Sequence, residues 1–214
     1  MKIDRRTVGP FQENCYLVID DATDEAVLID PGDEGSVLVD MVRASGARLT
    51  AIWCTHAHLD HIGGIAEVRR HYPVPVLLHP LDLPFYTRLS ARAADAYGVP
   101  FEQPEEVPVE ITDGELLRCG SLEFTVMHVP GHAPGQVSFN GHGVALSGDL
   151  LFAGSIGRTD LPLSNPFDMD ASLERIATMP DGTAVHPGHG PSTTIGAEKQ
   201  SNPFLSGRAR ALKR

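Results

Sequence analysis

Three histidines and an aspartate fall within the six residues His56-Ala57-His58-Leu59-Asp60-His61. They follow the apolar run Leu49-Thr50-Ala51-Ile52-Trp53-Cys54 and precede Gly63-Gly64. Neutral imidazole and carboxylate are the donors that suit zinc and other divalent transition metals. At a strand exit side chains alternate, so His56 and His58 are expected to point the same way and grip one ion. The Gly-Gly turn into a helix then aims Asp60 and His61 at a second point nearby. Without a cation between them, four such groups would be costly to desolvate. The peptide therefore reads as half the ligand set of a two-metal site.

The elements that carry this peptide follow from the punctuation of the chain. Short strands are expected over residues 2–8, 15–19 and 26–29. The third is stopped at Asp30-Pro31-Gly32, with Asp33 as the N-cap of a helix over 34–45. The strand 49–54 delivers the histidines. A helix over 62–71 and a strand over 74–78 come next. A helical stripe, Phe85, Leu89, Ala93 and Ala96, marks residues 82–97 as helix. Residues 98–110, rich in Pro and Glu, read as a surface loop joining two halves. Strands over 115–118, 122–128, 137–139 and 144–146, a helix over 169–178 and a strand over 183–186 form the second half. Strands then helices, twice over, predict an α/β (α+β) chain: two mixed sheets face to face with helices outside, a four-layer αβ/βα sandwich. One domain is expected over 1–205, with a basic, frayed tail over 206–214.

Composition narrows the class. The chain has 214 residues and a formal net charge of −11, which argues against a partner bound through phosphates. No run approaches the roughly 18 apolar residues of a membrane span, and the start of the chain lacks the apolar core of a secretory signal. Cys15, Cys54 and Cys119 form neither a disulfide framework nor a metal knuckle, so the cytoplasm is expected. Cys54, in an apolar run, reads as a buried structural thiol.

Further ligand candidates stand at glycine-flanked turns: His132 in Pro130-Gly131-His132, Asp149 in Ser147-Gly148-Asp149, and His186 and His189 in His186-Pro187-Gly188-His189. Glycine and proline allow the backbone to come close to an ion. His186, next to a proline in the strand exit, is set aside as a structural or supporting residue.

The series His56-x-His58-x-Asp60-His61, His132, Asp149, His189 resembles the metallo-β-lactamase fold superfamily along nearly the whole chain. The stretch Gly148 to Pro162 and the late Asn202-Pro203-Phe204-Leu205 resemble the short bacterial hydrolases of the glyoxalase II (hydroxyacylglutathione hydrolase) type. The resemblance implies that His56, His58 and His132 hold one metal. Asp60, His61 and His189 hold the other, and Asp149 bridges the two. Seven ligands exceed what one tetrahedral ion takes and suit a pair, with zinc expected and iron or manganese also compatible. A metal-bridging hydroxide, oriented by Asp60 as the catalytic residue, would cleave a small-molecule thioester such as S-D-lactoylglutathione. Only Gly190 to Arg214 follow His189, so the helical glutathione-binding domain of longer glyoxalase II proteins is not expected here. Arg158 is a candidate for a substrate carboxylate, or else for pairing with Asp160. Other readings of the same ligands are a single-iron persulfide dioxygenase, a lactonase or β-lactamase, and a metal-stabilised binding module. Sequence leaves the oligomeric state open.

Overall fold

The computed structural model describes residues 1–211. The first sheet has six strands in chain order: β1 (Lys2–Val8), β2 (Glu13–Asp20), β3 (Glu25–Ile29), β4 (Arg48–Trp53), β5 (Val76–Leu78) and β6 (Val109–Glu110). The first three pair antiparallel and the last three add in parallel. Parallel pairing requires crossovers. These are α1 (Gly35–Ser45) between β3 and β4, and α2 (Leu59–Ile62) with α3 (Ile65–His71) between β4 and β5.

The second sheet contains β7 (Leu116–Cys119), β8 (Leu122–His128), β9 (Val137–Gly141), β10 (Val144–Gly148), β13 (Ala184–Pro187) and β14 (Thr193–Thr194), in the order β14-β13-β10-β9-β8-β7. A small ribbon, β11 (Leu151–Phe152) with β12 (Ser155–Ile156), stands apart. Helix α4 (Ser90–Tyr97) lies in the crossover from β5 to β6, and α5 (Pro166–Ile176) and α6 (Ile195–Ser201) belong to the second half.

Alternation along the strands sorts the core into three slabs. Tyr16, Val18, Val27, Ile29 and Trp53 face Phe124, Val126, Phe139 and Leu146 between the sheets. Leu17, Leu28 and Ile52, on the other face of the first sheet, pack under Leu38 and Val42 of α1 and Ile65 and Val68 of α3. Ala145 and Val185, on the outer face of the second, pack under Met169, Leu173 and Ile176 of α5. Strands buried on both faces explain the near-continuous apolar runs in β2 and β3. The expected helix–sheet–sheet–helix sandwich is what forms.

Several local expectations change. The N-cap of α1 is Glu34, in a left-handed conformation, and Asp33 instead accepts from the Glu34 backbone N–H. The single helix expected over 82–97 is a 3-10 turn at Pro80–Asp82, a π turn at Phe85–Leu89 and then α4. Loop 98–110 ends in β6, which extends the edge of the first sheet. Helix α5 starts at Pro166, capped by the Asn165 side chain. Helix α6 and strands β11, β12 and β14 were not expected. Of the expected tail, residues 206–211 run back along α5 and α6: Arg208 bonds the Ser201 carbonyl and the Ala211 N–H bonds Asp170. Residues 212–214 lie outside the described residues.

Candidate metal centre

All seven expected ligands come together at one edge of the sandwich, where the loops after β4, β8, β10 and β13 meet. The loop after β4 carries His56 and His58, and α2 carries Asp60 and His61. His132 arrives from the turn between β8 and β9, Asp149 from the end of β10, and His189 from the end of β13. The last two are neighbours because β10 and β13 pair in parallel, with Gly148 opposite Pro187.

Two donor groups face each other. The nitrogens of His56, His58 and His132 form one, and Asp60, His61 and His189 form the other; within each, one ligand atom per residue lies within 4.8 Å of the rest. Asp149 stands between them. Its Oδ2 is 3.4 Å from His132 Nε2 and 3.5 Å from His189 Nε2, and its Oδ1 is 3.5 Å from His61 Nε2. Asp60 Oδ2 lies 3.3 Å from His189 Nε2.

Hydrogen bonds on the outer sides of the rings set which nitrogen faces inward. Asp30 ends β3 as a buried carboxylate. It accepts from the Thr55 backbone N–H and the Thr55 hydroxyl, both at 2.6 Å, and from His61 Nδ1 at 3.0 Å. With its proton committed to Asp30, the Thr55 hydroxyl can only accept from His56 Nδ1, 3.1 Å away. His132 Nδ1 donates to the Arg158 carbonyl at 2.9 Å. His56, His61 and His132 therefore turn Nε2 inward, the nitrogen that offers a lone pair when the ring is neutral. His56 Nε2, His61 Nε2 and Asp149 Oδ1 are buried with no hydrogen-bond partner among the described residues. Buried polar atoms left in this state are costly, and cations are what the donors lack. The residues fit a pair of metal ions. A third possible group, Asp30 with His56 and His61, is a poorer holder, because the Asp30 oxygens are already engaged.

Electrostatics divide the rings the same way. Burial, with neighbouring histidines, pushes His56 well below the usual imidazole range and His58 down to about 3. Burial lowers His132 as well. Burial also works against protonated His61, but Asp149 and Asp30 outweigh it and hold that ring well above its ordinary value. In His189, Asp60 and Asp149 outweigh burial and raise it.

Backbone approach is tight. A Cβ on Gly188 would collide with Asp149 Oδ1 and with the His61 ring. Only glycine leaves this space, and the Gly188 carbonyl meanwhile takes the Asn14 N–H.

The remaining candidates separate. Arg158 lies at the rim, its guanidinium bonded twice to Asp160, at 2.8 and 3.1 Å. His186 bonds Ser192 and packs edge-on to Tyr16, away from the donor groups. Cys54 is buried, and all three cysteines are free. Two acids escaped the sequence reading besides Asp30. Asp82 accepts the Ala57 and Gly135 N–H groups at 2.8 and 2.5 Å, tying the His56–His58 loop to the His132 loop. Glu13, fully buried, lies 3.9 Å from His61 Nδ1. Asp30 was legible in principle: it is an acid at the end of the apolar strand Ala26–Ile29.

Above the donors opens a cleft of about 590 Å³, with His58, Asp60, His132, Asp149 and His189 at its floor. A four-layer sandwich carrying a histidine–aspartate centre at one edge defines a metal-dependent, hydrolase-type enzyme. The family model for the metallo-beta-lactamase superfamily matches residues 8–192, and the chain belongs to that superfamily. It is 38% identical over 212 residues to the probable metallo-hydrolase YqgX of Bacillus subtilis, covering 97% of this chain and 99% of that one. It is 34% identical over 218 residues to the hydroxyacylglutathione hydrolase GloC of Haemophilus influenzae, covering 98% and 100%. The crystal structure of TTHA1623 in a di-iron-bound form superposes with a TM-score of 0.88 at 45% identity, covering 94% of this chain and all of that one. The donor set and this di-iron neighbour support a dinuclear site, whichever metal fills it.

Proposed function

We propose that the protein is a thioester hydrolase dependent on two divalent metal ions, of the hydroxyacylglutathione hydrolase type, with zinc as the expected metal and iron or manganese compatible. His56, His58 and His132 would hold one ion; Asp60, His61 and His189 would hold the other; Asp149 would be shared. The observation that carries the reading is the placement of Asp149 between two donor groups at the floor of a single cleft. The likeness to GloC supports the substrate class.

Bound there, two ions would supply an acidified water and an electrophile for the carbonyl oxygen. The chain's own residues supply the rest. Asp60, in the same donor group as His61 and His189, would accept a hydrogen bond from that water and orient it toward the substrate. Ser90, the serine that lines the cleft, donates its hydroxyl to the Ala57 carbonyl at 2.6 Å, so water is the available nucleophile. A thiolate leaving group has a pKa of about 8.5 and departs without a general acid, which matches a floor made of metal donors. Arg158 would meet a substrate carboxylate by exchanging Asp160, an exposed partner held by little energy. Free buried thiols agree with action in the cytoplasm.

The test is elemental analysis of the purified protein, paired with hydrolysis of S-D-lactoylglutathione and simpler thioesters with and without chelator. About two ions per chain and chelator-sensitive cleavage are expected. Cleavage that survives complete demetallation refutes the reading. One iron per chain with oxygen uptake on a glutathione persulfide would favour a dioxygenase instead.

A further inference from the structure

We infer that the preferred substrate carries an extended apolar group on the scissile thioester, and that this group lies along the face of the segment Phe85–Tyr97. The inference rests on the thioester reading above and sharpens it. Phe85, Leu89, Ala93 and Tyr97 recur at helical spacing, and all line the cleft. Phe11 meets Tyr97 edge to face at 5.5 Å, and Phe11 and Leu161 add to the apolar lining. The apolar surface starts at the donors themselves, since the Phe85 ring packs edge-on to His58 at 4.7 Å. Tyr97, with 58% of its surface exposed, is a large ring kept at the surface beside the cleft mouth. The π turn at Phe85–Leu89 is the kind of helix irregularity that collects at functional sites.

Size argues against a small acyl group filling the cleft alone, and charge against a polar thiol filling the rest. A lactoyl group displaces only a few waters, at roughly 30 Å³ each, and the cleft holds about 590 Å³. Arg92 and Arg158 are the only Lys or Arg side chains lining it among the described residues, and Arg158 is paired with Asp160. That is a thin provision for the two carboxylates of glutathione. An apolar chain, by contrast, gains from every methylene it removes from water, up to about fourfold in affinity each.

Two thioester series on the metal-loaded protein test this. One lengthens the acyl group on a fixed small thiol, from acetyl to octanoyl. The other lengthens the thiol side under a fixed acetyl group. A rise in kcat/KM of two- to fourfold per methylene in either series, before a plateau, is expected, and the series that rises names the side that occupies the cleft. Flat or falling values in both overturn the inference. Calorimetric binding of the matching uncleavable thioethers, methyl against octyl, gives a readout independent of turnover. If no thioester is cleaved yet octyl binds far tighter than methyl, the thioester reading fails and the apolar cleft stands. If thioesters are cleaved and chain length changes neither binding nor rate, the reverse holds. Ala96→Glu, at the exposed end of the same helical face, should flatten the length dependence. Ala93→Leu, which shortens the cleft, should move the plateau to shorter chains. An unchanged length profile in both folded variants also overturns the inference.

Discussion

Thr55 gives Asp30 both of its hydrogens: the backbone N–H goes to one carboxylate oxygen and the hydroxyl to the other, each at 2.6 Å. The same hydroxyl is thereby left to accept from His56, and the same carboxylate holds His61. One buried acid thus sets the tautomers of two rings on opposite donor groups. Such outer partners are worth ten- to a hundredfold in metal affinity elsewhere, roughly 1.4–2.8 kcal/mol.

Thr55→Val keeps the shape and removes the hydroxyl. It should weaken metal retention by about ten- to a hundredfold while the protein stays folded. Competition against a chromophoric chelator, with circular dichroism as the fold control, measures it. Retention equal to the parent would show that the relay does not matter.

His58→Ala deletes a donor from the His56–His58–His132 group. Thioester hydrolysis should fall by about a thousandfold or more, a loss of roughly 4 kcal/mol in transition-state stabilisation, and metal content should drop toward one ion per chain. Unchanged turnover would remove this residue from the machinery.

Acidification should strip metal from the centre. A proton competes with a metal for each imidazole. That competition sets in from higher pH for His61 and His189, which neighbouring carboxylates hold above the ordinary range, and from lower pH for His56, His132 and His58, which burial depresses, the last to about 3. Metal content and activity should both fall as pH drops below neutral. Metal per chain after equilibration at stepped pH values reads this directly. Full metal retention down to pH about 4 would contradict histidine ligation.

Gly188→Ala places a methyl group against Asp149 and His61. Because both neighbours are buried and His61 is fixed by its bond to Asp30, relief has to come from the backbone. Metal content and activity should both fall, with a stability loss of about 1–3 kcal/mol from overpacking. Gly182→Ala, where a Cβ meets open space, is the matched control. Equal behaviour of the two variants would mean that the loop yields freely.

Legibility followed distance along the chain. His56, His58, Asp60 and His61 declare themselves because four donors in six residues need a reason. His132, Asp149 and His189 stand alone at their turns, and only their serial order made them a set. The short apolar runs of β2 and β3 were enough to mark them as strands, while their burial on both faces came from the packing. Asp33, by contrast, looked like a helix cap and is not one, because the chain enters α1 through a left-handed Glu34. The stripe Phe85, Leu89, Ala93 and Ala96 showed a helix in sequence. Which way that face turns, toward a core or toward an open cleft, is not encoded in periodicity.

By itself the sequence determined the donor types, the strands that end beside them and the layered class of the fold, since these depend on local spacing and on side-chain chemistry. Only the tertiary structure decided that Asp149 lies between two donor groups, that Asp30 fixes two ring tautomers and that the Phe85–Tyr97 face walls the site. Each of these joins residues from separate elements, and their meeting is set by how β3, β4, β10 and β13 pack, a long-range outcome that no window of sequence contains.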